Sequence, residues 1–257
     1  MPTLAELVDH LDHLLEAGAF RDYGPNGLQV PGRTEIRTVV TGVSAHADLL
    51  SRAVDEGADL VLVHHGLFWR GQPLEITPAM HRRLKLLFDH DVALAAYHLP
   101  LDAHPEHGNN ALLGRALGAV DQQPFAPHEG RPIGVHVRFE GDGLTLAELT
   151  ARVRDAVGGR EPVVVEGGPG AAARIRTLGI VSGGGTDSVH DAIALGLDAF
   201  LTGEPAERAF GIARDDGIHF LAAGHHATET FGIRRLGELL ERDFGVRHVF
   251  VDVPNPI

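Results

Sequence analysis

The chain has 257 residues, 44% hydrophobic and 22% charged, which is typical of a soluble globular protein with one large domain or two smaller ones. The formal net charge is −13 and the chain has a single lysine, so we do not expect it to bind the phosphate backbone of a nucleic acid. Because cysteine is absent, disulfides, thiolate metal sites and cysteine nucleophiles are excluded, and any bound metal must take nitrogen and oxygen ligands.

The first predicted element is an amphipathic helix from about Leu4 to about Glu16. Thr3 is its expected N-cap and Glu6 completes a capping box. The amino terminus lacks the basic start and the continuous apolar centre of a signal peptide. We therefore expect a cytoplasmic protein that does not contact a membrane.

A strand–helix–strand unit is predicted over residues 38–66, after a turn-rich stretch at 23–33 in which Asn26 indicates a tight turn. The second strand, within DLVLVHHG, is short and apolar and ends in His64 and His65. Ligands bind outside the carboxyl ends of strands in open α/β sheets. Since adjacent side chains diverge, the pair suits two neighbouring metal ions better than one. The alternative is that both imidazoles only meet backbone carbonyls.

A helix over residues 79–89 and a further buried strand over 92–98 are predicted next. Pro100 and Pro105 predict an extended or turned crossing, after which a helix resumes near Asn110. The crossing carries the sequence HLPLD, which places a histidine and a carboxylate just beyond the strand.

The sequence pattern changes after residue 123. Apolar and polar residues alternate over 132–141, as in antiparallel strands, and a helix and a further strand follow. We therefore predict a first α/β lobe over residues 1–123, with the HHG and HLPLD motifs, and a second over 124–257, with the TGE and GHHATE motifs.

A weak internal duplication relates the two predicted lobes. Five residues of the first align without a gap with five of the second: Asp48, Ala53, Gly57, Asp59 and Leu62 with Asp187, Ala192, Gly196, Asp198 and Leu201. A second offset sets His98 over His225 and Asp102 over Glu229. In each lobe a buried strand thus ends in His-x-x-x-carboxylate, a spacing that puts both groups on one face of a helix or turn. The predicted fold class is α/β, with two similar lobes and a metal site in the cleft between them.

The strand ends supply a set of candidate metal ligands: His64, His65, Asp102, His225 and Glu229, with His98 as an outer candidate. Five protein ligands suit two ions that share a carboxylate and keep positions open for water. Nitrogen and oxygen donors admit zinc, manganese, iron, nickel or cobalt. For Glu229 the alternative is a helix-capping glutamate beside a solvent-exposed histidine.

Other polar residues near the predicted site have open roles. His98, His104 and Glu204 are candidate acids, bases or partners that orient metal-bound imidazoles. The glycine-rich stretch SGGGTD at 182–187 is either a tight turn between strand and helix or a phosphate cradle, although it lacks the lysine of a P-loop. Arg70 is the nearest candidate cation for a phosphate group.

The motifs NGLQV, GADLVLVHHG, YHLPLDAHPEHGNNALL, LTGE and GHHATETFGIRRLGELL span almost the whole chain. Together they resemble the NIF-three-like family, whose bacterial members are often called GTP cyclohydrolase 1 type 2 homologues. The resemblance implies a two-lobed α/β subunit, a dinuclear metal centre between the lobes and a toroidal homohexamer. By motif position it assigns five ligands, with the glutamate bridging: His64, His65, Asp102, His225 and Glu229.

Two departures from the family pattern are visible. His226 stands where many members carry tyrosine, which leaves the ligands untouched and alters the pocket wall. The large central insert of longer members is missing, so any regulatory role of that insert does not carry over.

The ligand set and the resemblance predict a dinuclear-metal-dependent hydrolase, GTP cyclohydrolase-like, that acts on a nucleotide or related cyclic C–N bond by metal-activated water. Two alternatives stay open. A metal-dependent phosphoesterase would need a cationic clamp, and a non-enzymatic metal-binding or regulatory interaction protein would use the ions to tie its lobes together. Open metal positions favour the enzyme, and a fully ligated centre favours the structural role.

Overall fold

The computed structural model describes residues 1–257, in which the chain forms two compact units. The units comprise these ranges: Met1–Leu101 with Gly232–Pro254 for unit 1, and Asp102–Phe231 with Asn255–Ile257 for unit 2. No helix combines the length and the apolar character needed to span a bilayer.

Both units mix short strands with helices. The strands in chain order are β1 (Gly27–Val30), β2 (Thr38–Ser44), β3 (Leu60–His65), β4 (Ala93–Ala96), β5 (Asp121–His128), β6 (Arg131–Arg138), β7 (Val163–Val165), β8 (Thr177–Val181), β9 (Ala199–Thr202), β10 (His219–Ala222) and β11 (Arg247–Phe250). The α-helices are α1 (Leu4–Leu14), α2 (Ala47–Asp55), α3 (Pro78–Asp89), α4 (Leu99–Ala103), α5 (Asn109–Ala116), α6 (Leu146–Ala156), α7 (Val189–Ala194), α8 (Arg208–Asp216), α9 (His225–Thr228) and α10 (Thr230–Phe244). Single 3-10 turns lie at Ala17–Ala19 and Thr186–Ser188.

Unit 1 contains a five-stranded sheet with the order β1-β4-β3-β2-β11. The strands β4, β3, β2 and β11 run parallel, and β1 pairs antiparallel with β4. The carboxyl ends of β3 and β4 are therefore neighbours, which brings the residues that follow both strands to the same edge of the sheet.

Strand β3 is buried on both faces of this sheet. Leu60 and Leu62 belong to one apolar cluster, whereas Val61 and Val63 belong to another. Helices α1 and α10 contribute buried leucines to the first cluster, and α2 contributes to the second. Double-sided burial explains the continuous apolar run that the sequence shows, since each buried Val or Leu stabilises the fold by about 1.5–3 kcal/mol.

Unit 2 contains a six-stranded sheet with the order β5-β6-β8-β9-β10-β7. Strands β8, β9 and β10 are parallel, β7 pairs antiparallel with β10, and β5 and β6 form an antiparallel hairpin at the other edge. The carboxyl ends of β8, β9 and β10 therefore lie at the same edge of the sheet, with β9 between β8 and β10.

The two units repeat one architecture, as predicted. In the spatial order of each sheet, three neighbouring parallel strands lie beside one antiparallel edge strand. Strands β2, β3, β4 and β1 of unit 1 correspond in this way to β8, β9, β10 and β7 of unit 2. The duplication extends to single hydrogen bonds. The carboxylate of Asp59 accepts from the backbone N–H of Thr38 at 3.0 Å, and that of Asp198 accepts from Thr177 at 2.9 Å. The predicted fold class, two similar α/β lobes, is confirmed.

Helices α1 and α6 are a further repeated pair. Each begins with a capping box, formed by Thr3 with Glu6 and by Thr145 with Glu148. The capping box predicted for the first helix is therefore confirmed.

Three local features differ from the sequence analysis. The units change at Leu101 and Asp102 rather than at residue 123, and 232–254 returns to unit 1, because β11 pairs with β2. The stretch beyond β4 is the helix α4 rather than an extended crossing, since Pro100 lies in its first turn, where no backbone N–H is needed. Asn26, for which a tight turn is predicted, lies directly before the edge strand β1.

Candidate metal centre

Three histidines cluster at the carboxyl edge of the unit 1 sheet. His64 and His65 end β3, and His98 follows β4. One ring nitrogen from each lies within 4.8 Å of those of the other two. His64 is fully buried, and its ring centroid lies 4.6 Å from that of His65 and 5.0 Å from that of His98. The structure thus brings together all three histidines that the sequence singles out in this unit.

The hydrogen bonds of these rings fix which nitrogen faces a ligand. Nδ1 of His64 lies 2.9 Å from the carbonyl oxygen of Tyr97, which can only accept, so Nδ1 carries the proton and the lone pair of the neutral ring lies on Nε2. Nδ1 of His65 lies 3.0 Å from the hydroxyl of Ser44. Metal-ligating histidines use their second nitrogen in this manner.

His98 is held by a carboxylate that the sequence analysis missed. Nδ1 of His98 lies 2.7 Å from Oδ1 of Asp22, and the backbone N–H of His98 donates to the side-chain oxygen of Asn26 at 2.8 Å. Asp22 is buried and also accepts from the backbone N–H of Leu99 at 2.9 Å. The only sequence signal is that Asp22 directly precedes the turn-rich stretch that contains Asn26.

Asp22 is a buried anion. Its burial opposes ionisation, but hydrogen bonding to His98, the charge of His98 and hydrogen bonds from Asn26 and Tyr23 outweigh that effect and lower the pKa of Asp22 to about 2. The carboxylate is therefore ionised near neutral pH, and it keeps the proton of His98 on Nδ1.

The loop after the two adjacent histidines is tied to β1. Gln29 accepts from the backbone N–H of Leu67 at 2.8 Å, and its amide occupies the space beside Gly66 that a Cβ would need. The indole N–H of Trp69 donates to the carbonyl of Gly66 at 3.1 Å. The motifs NGLQV and HHG, distant in sequence, therefore form one structure beside the histidine cluster.

In unit 2, His225 lies between two carboxylates. Its Nδ1 is 2.5 Å from Oε1 of Glu204, and its Nε2 is 3.2 Å from Oε2 of Glu229. Glu229 is only 2% exposed and lies between α9 and α10. His225 and Glu229 therefore face together, as their spacing predicts, and Glu204 orients the imidazole.

The charge of His225 follows from these contacts. Burial of the ring opposes protonation, but the hydrogen bonds and negative charges of Glu229 and Glu204 outweigh that effect and raise the pKa of His225 to about 9. A cation is therefore favoured between the two carboxylates. Because metal binding at Nε2 needs the neutral ring, it would release this extra proton.

Asp102 is buried among polar side chains of unit 2. Its Oδ1 accepts from the amide of Asn109 at 2.8 Å and from the hydroxyl of Ser182 at 3.0 Å. Asn110 accepts from the backbone N–H of Ser182 at 2.7 Å. These contacts give Ser182 a positioning role and leave the carboxylate of Asp102 in a fixed orientation.

Gly183, the next residue, touches the other two candidate ligands of unit 2. Its φ is +62°, and a Cβ there would overlap Oε1 of Glu229 and lie 3.0 Å from Nε2 of His225. The backbone N–H of Gly183 donates to Thr228, and that of Gly185 donates to Thr202. Because these amides serve the fold, the structure favours the tight turn over the phosphate cradle for this loop.

The remaining candidates lie at other contacts. Nδ1 of His104 accepts from the backbone N–H of Glu106 and of His107, which makes it a turn-forming residue. The guanidinium of Arg70 donates to the carbonyl of Asp22 at 2.8 Å, so it is engaged within the fold rather than presented as a phosphate clamp. The backbone N–H of His226 donates to the carbonyl of Ile257 at 3.1 Å.

The donor set fits divalent metal ions. Three histidines whose Nδ1 atoms are held by protein groups, together with two buried carboxylates, supply only nitrogen and oxygen, which suits zinc, manganese, iron, nickel or cobalt. The assignment of His64, His65, Asp102, His225 and Glu229 as ligands, and the number of ions, stay predictions.

Comparison with known proteins agrees with the resemblance noted in the sequence. The chain matches the family described as Duf34/NIF3 (NGG1p interacting factor 3) over residues 2–256. It is 46% identical over 253 residues to a GTP cyclohydrolase 1 type 2 homolog of Pseudomonas aeruginosa, covering 98% of both chains. It superposes with a TM-score of 0.92 and 39% identity on protein ybgI, whose function is unknown, over 99% of this chain and 100% of that one. A protein of Thermus thermophilus gives a TM-score of 0.90 and 38% identity over the same shares. The chain belongs to the Duf34/NIF3 family.

Proposed function

We propose that this chain is a hydrolase dependent on two divalent metal ions. The proposed ligands are His64, His65, Asp102, His225 and Glu229, with Glu229 shared by both ions. Bound ions would supply Lewis-acid polarisation of the substrate and activation of water. The proposed substrate class is a nucleotide or a related ring with a hydrolysable C–N bond, and the proposed compartment is the cytoplasm.

One observation carries the proposal. The histidines assigned as ligands each have Nδ1 held by a carbonyl, a hydroxyl or a carboxylate, while the two assigned carboxylates are buried. Burial of ionisable groups is costly unless a partner compensates it, and a divalent cation is such a partner. The relatives called GTP cyclohydrolase 1 type 2 homologs support the choice of substrate class by their name.

The chain's own residues have distinct tasks in the proposed reaction. Asp22 keeps the His98 ring in one orientation with its proton on Nδ1, so that Nε2 can take up or deliver a proton beside His64 and His65. Glu204 does the same for the ligand His225. Ser182 and Asn109 fix Asp102.

The test of activity is turnover of GTP by protein loaded with each candidate metal, with ring opening followed by loss of guanine absorbance and by mass spectrometry. We expect ring-opened product from the wild type. We expect His98→Gln to keep the metal content and to lose most turnover, because the proton carrier is removed. Metal-loaded wild type that turns over neither GTP nor other nucleotides would contradict the proposed reaction.

A second candidate function is a non-enzymatic metal-binding protein that recruits a partner. The family description, which names an interacting factor, favours it. The same assay separates the two functions, because a recruiting protein would hold its ions without turnover and His98→Gln would change nothing measurable.

We also propose that the chain assembles as a toroidal homohexamer. The resemblance of the chain's motifs to the NIF-three-like family supports this assembly.

A further inference from the structure

Unit 1 contains a cavity that the proposed metal ligands do not form. Its volume is about 440 Å³, and it lies against β1, the loop after β3 and the helix α3. Pockets for small organic ligands are typically roughly 300–1,000 Å³. The size therefore admits one ring system with substituents.

The walls of this cavity select a chemical class. Phe68, Trp69, Met80 and Phe88 supply three aromatic rings and a thioether. Neither lysine nor arginine lines the cavity, and Glu75 is its one ionisable residue. Aromatic walls bind flat rings by stacking, whereas a site without cations disfavours a phosphate or carboxylate group.

Trp69 connects this cavity to the histidine cluster. Its ring meets that of His98 edge-on at 5.1 Å between centroids and lies 5.7 Å from that of His65. Because its indole N–H donates a hydrogen bond to the carbonyl of Gly66, the ring is held in place as a wall shared by the cavity and the histidine cluster. A ring seated in the cavity would therefore contact the side chain that also borders His65 and His98.

We propose that the cavity binds the planar ring of the substrate, as a neutral nitrogen heterocycle whose N–H groups donate to the carboxylate of Glu75. Purine bases with N–H donors belong to this class. Any phosphate of the same substrate lies outside the cavity, because no lysine or arginine lines the cavity to pair with it. This inference rests on the proposed function, since it names the part of the substrate that the chain recognises.

The chain's single tryptophan makes the cavity directly observable, since Trp69 is the only indole emitter. Equilibrium dialysis with guanosine measures affinity, and the emission of Trp69 reports where guanosine binds. We expect saturable binding with a matching change in emission. Caffeine, a neutral purine without N–H donors, is expected to bind more weakly, and the anionic ring benzoate is expected not to bind.

Two variants and a matched control test the assignment of the walls. Phe88→Ala is expected to weaken guanosine binding roughly tenfold by removing a stacking surface. Phe210→Ala is the control, because Phe210 is 64% exposed against 60% for Phe88 but does not line the cavity. Glu75→Gln is expected to weaken guanosine roughly tenfold and to leave caffeine unchanged, because a charged hydrogen bond is lost.

The results separate this inference from the proposed function. Absence of guanosine binding, equal binding of benzoate, or equal effects of Phe88→Ala and Phe210→Ala would overturn the cavity assignment. Metal content is measured on the same samples. Ring binding by a chain that holds no metal would overturn the metal hydrolase while keeping the cavity assignment.

Discussion

At the scale of single residues, removal of the negative charge of Asp22 should have the clearest effect on the pH dependence of stability. Its pKa of about 2 lies below that of an unfolded aspartate, so its ionised form stabilises the folded chain above the unfolded pKa, and this stabilisation is lost as the pH falls toward 2. We expect Asp22→Asn to lower the free energy of unfolding at pH 7 by on the order of 2 kcal/mol. Urea unfolding of both chains should show the difference shrinking between pH 5 and pH 3. A difference that does not change with pH would contradict this role.

Gly183 offers a second test, with its neighbour Gly184 as the control. A methyl group at Gly183 would overlap Glu229 and would sit in a left-handed conformation, whereas at Gly184 the nearest atom, in the ring of His225, is 4.0 Å away. We expect Gly183→Ala to reduce metal content to half or less and Gly184→Ala to leave it near that of the wild type. Elemental analysis measures both, and equal metal content in the two variants would show that the loop does not shape the site.

The sequence predicts the candidate site residues at the ends of strands. It does not predict the residues that hold those side chains in position. His64, His65 and His98 stand out because each follows an apolar run, and His225 and Glu229 stand out because they repeat the spacing of His98 and Asp102. Asp22 does not stand out, because its contact with His98 joins residues 76 positions apart. Local patterns carry no information about such a contact.

At the scale of secondary structure, α10 packs against β11 through a glycine. A methyl group on Gly237 would overlap the imidazole of His248, which in turn lies 2.7 Å from the hydroxyl of Thr41. We expect Gly237→Ala to lower the free energy of unfolding by about 1–3 kcal/mol through overpacking. Replacement of His248 by alanine in the same chain should restore most of that loss.

Gly211 in α8 provides the matched control for Gly237, since no atom lies within 4 Å of the position that an added Cβ would take. Gly211→Ala is expected to stabilise the chain by up to about 1 kcal/mol, because alanine is the better helix former. Chemical denaturation measures both substitutions. If both glycine variants gained stability, the packing of α10 on β11 would not depend on Gly237.

Element prediction succeeds where a signal is local and fails where partners are distant. The capping box at Thr3 places the start of α1, and double-sided burial marks β3 and β4. Helix α4 is missed because Pro100 signals an interruption unless its place in a first turn is known. The pairing of β11 with β2 joins opposite ends of the chain, so the unit boundary is not readable from the sequence pattern.

At the scale of the whole molecule, the proposed hexamer is tested by its mass. Light scattering coupled to gel filtration should give six times the chain mass of 27.5 kDa. A single chain in solution, at concentrations where the metal-loaded protein is active, would contradict the assembly. The duplication of the two sheets is a molecular-scale feature that the sequence does reveal, because equivalent residues such as Asp59 and Asp198 keep the same hydrogen bonds in both.

The central claim is that two ions are held by two ligand sets that share Glu229, and metal content per chain tests it most directly. Elemental analysis of protein purified without a histidine tag should give two divalent ions per wild-type chain. It should give one or none for Glu229→Ala and a near-normal count for His226→Ala. Full metal content in Glu229→Ala would contradict the shared carboxylate, and a wild-type chain that takes up no divalent metal would contradict the metal centre itself.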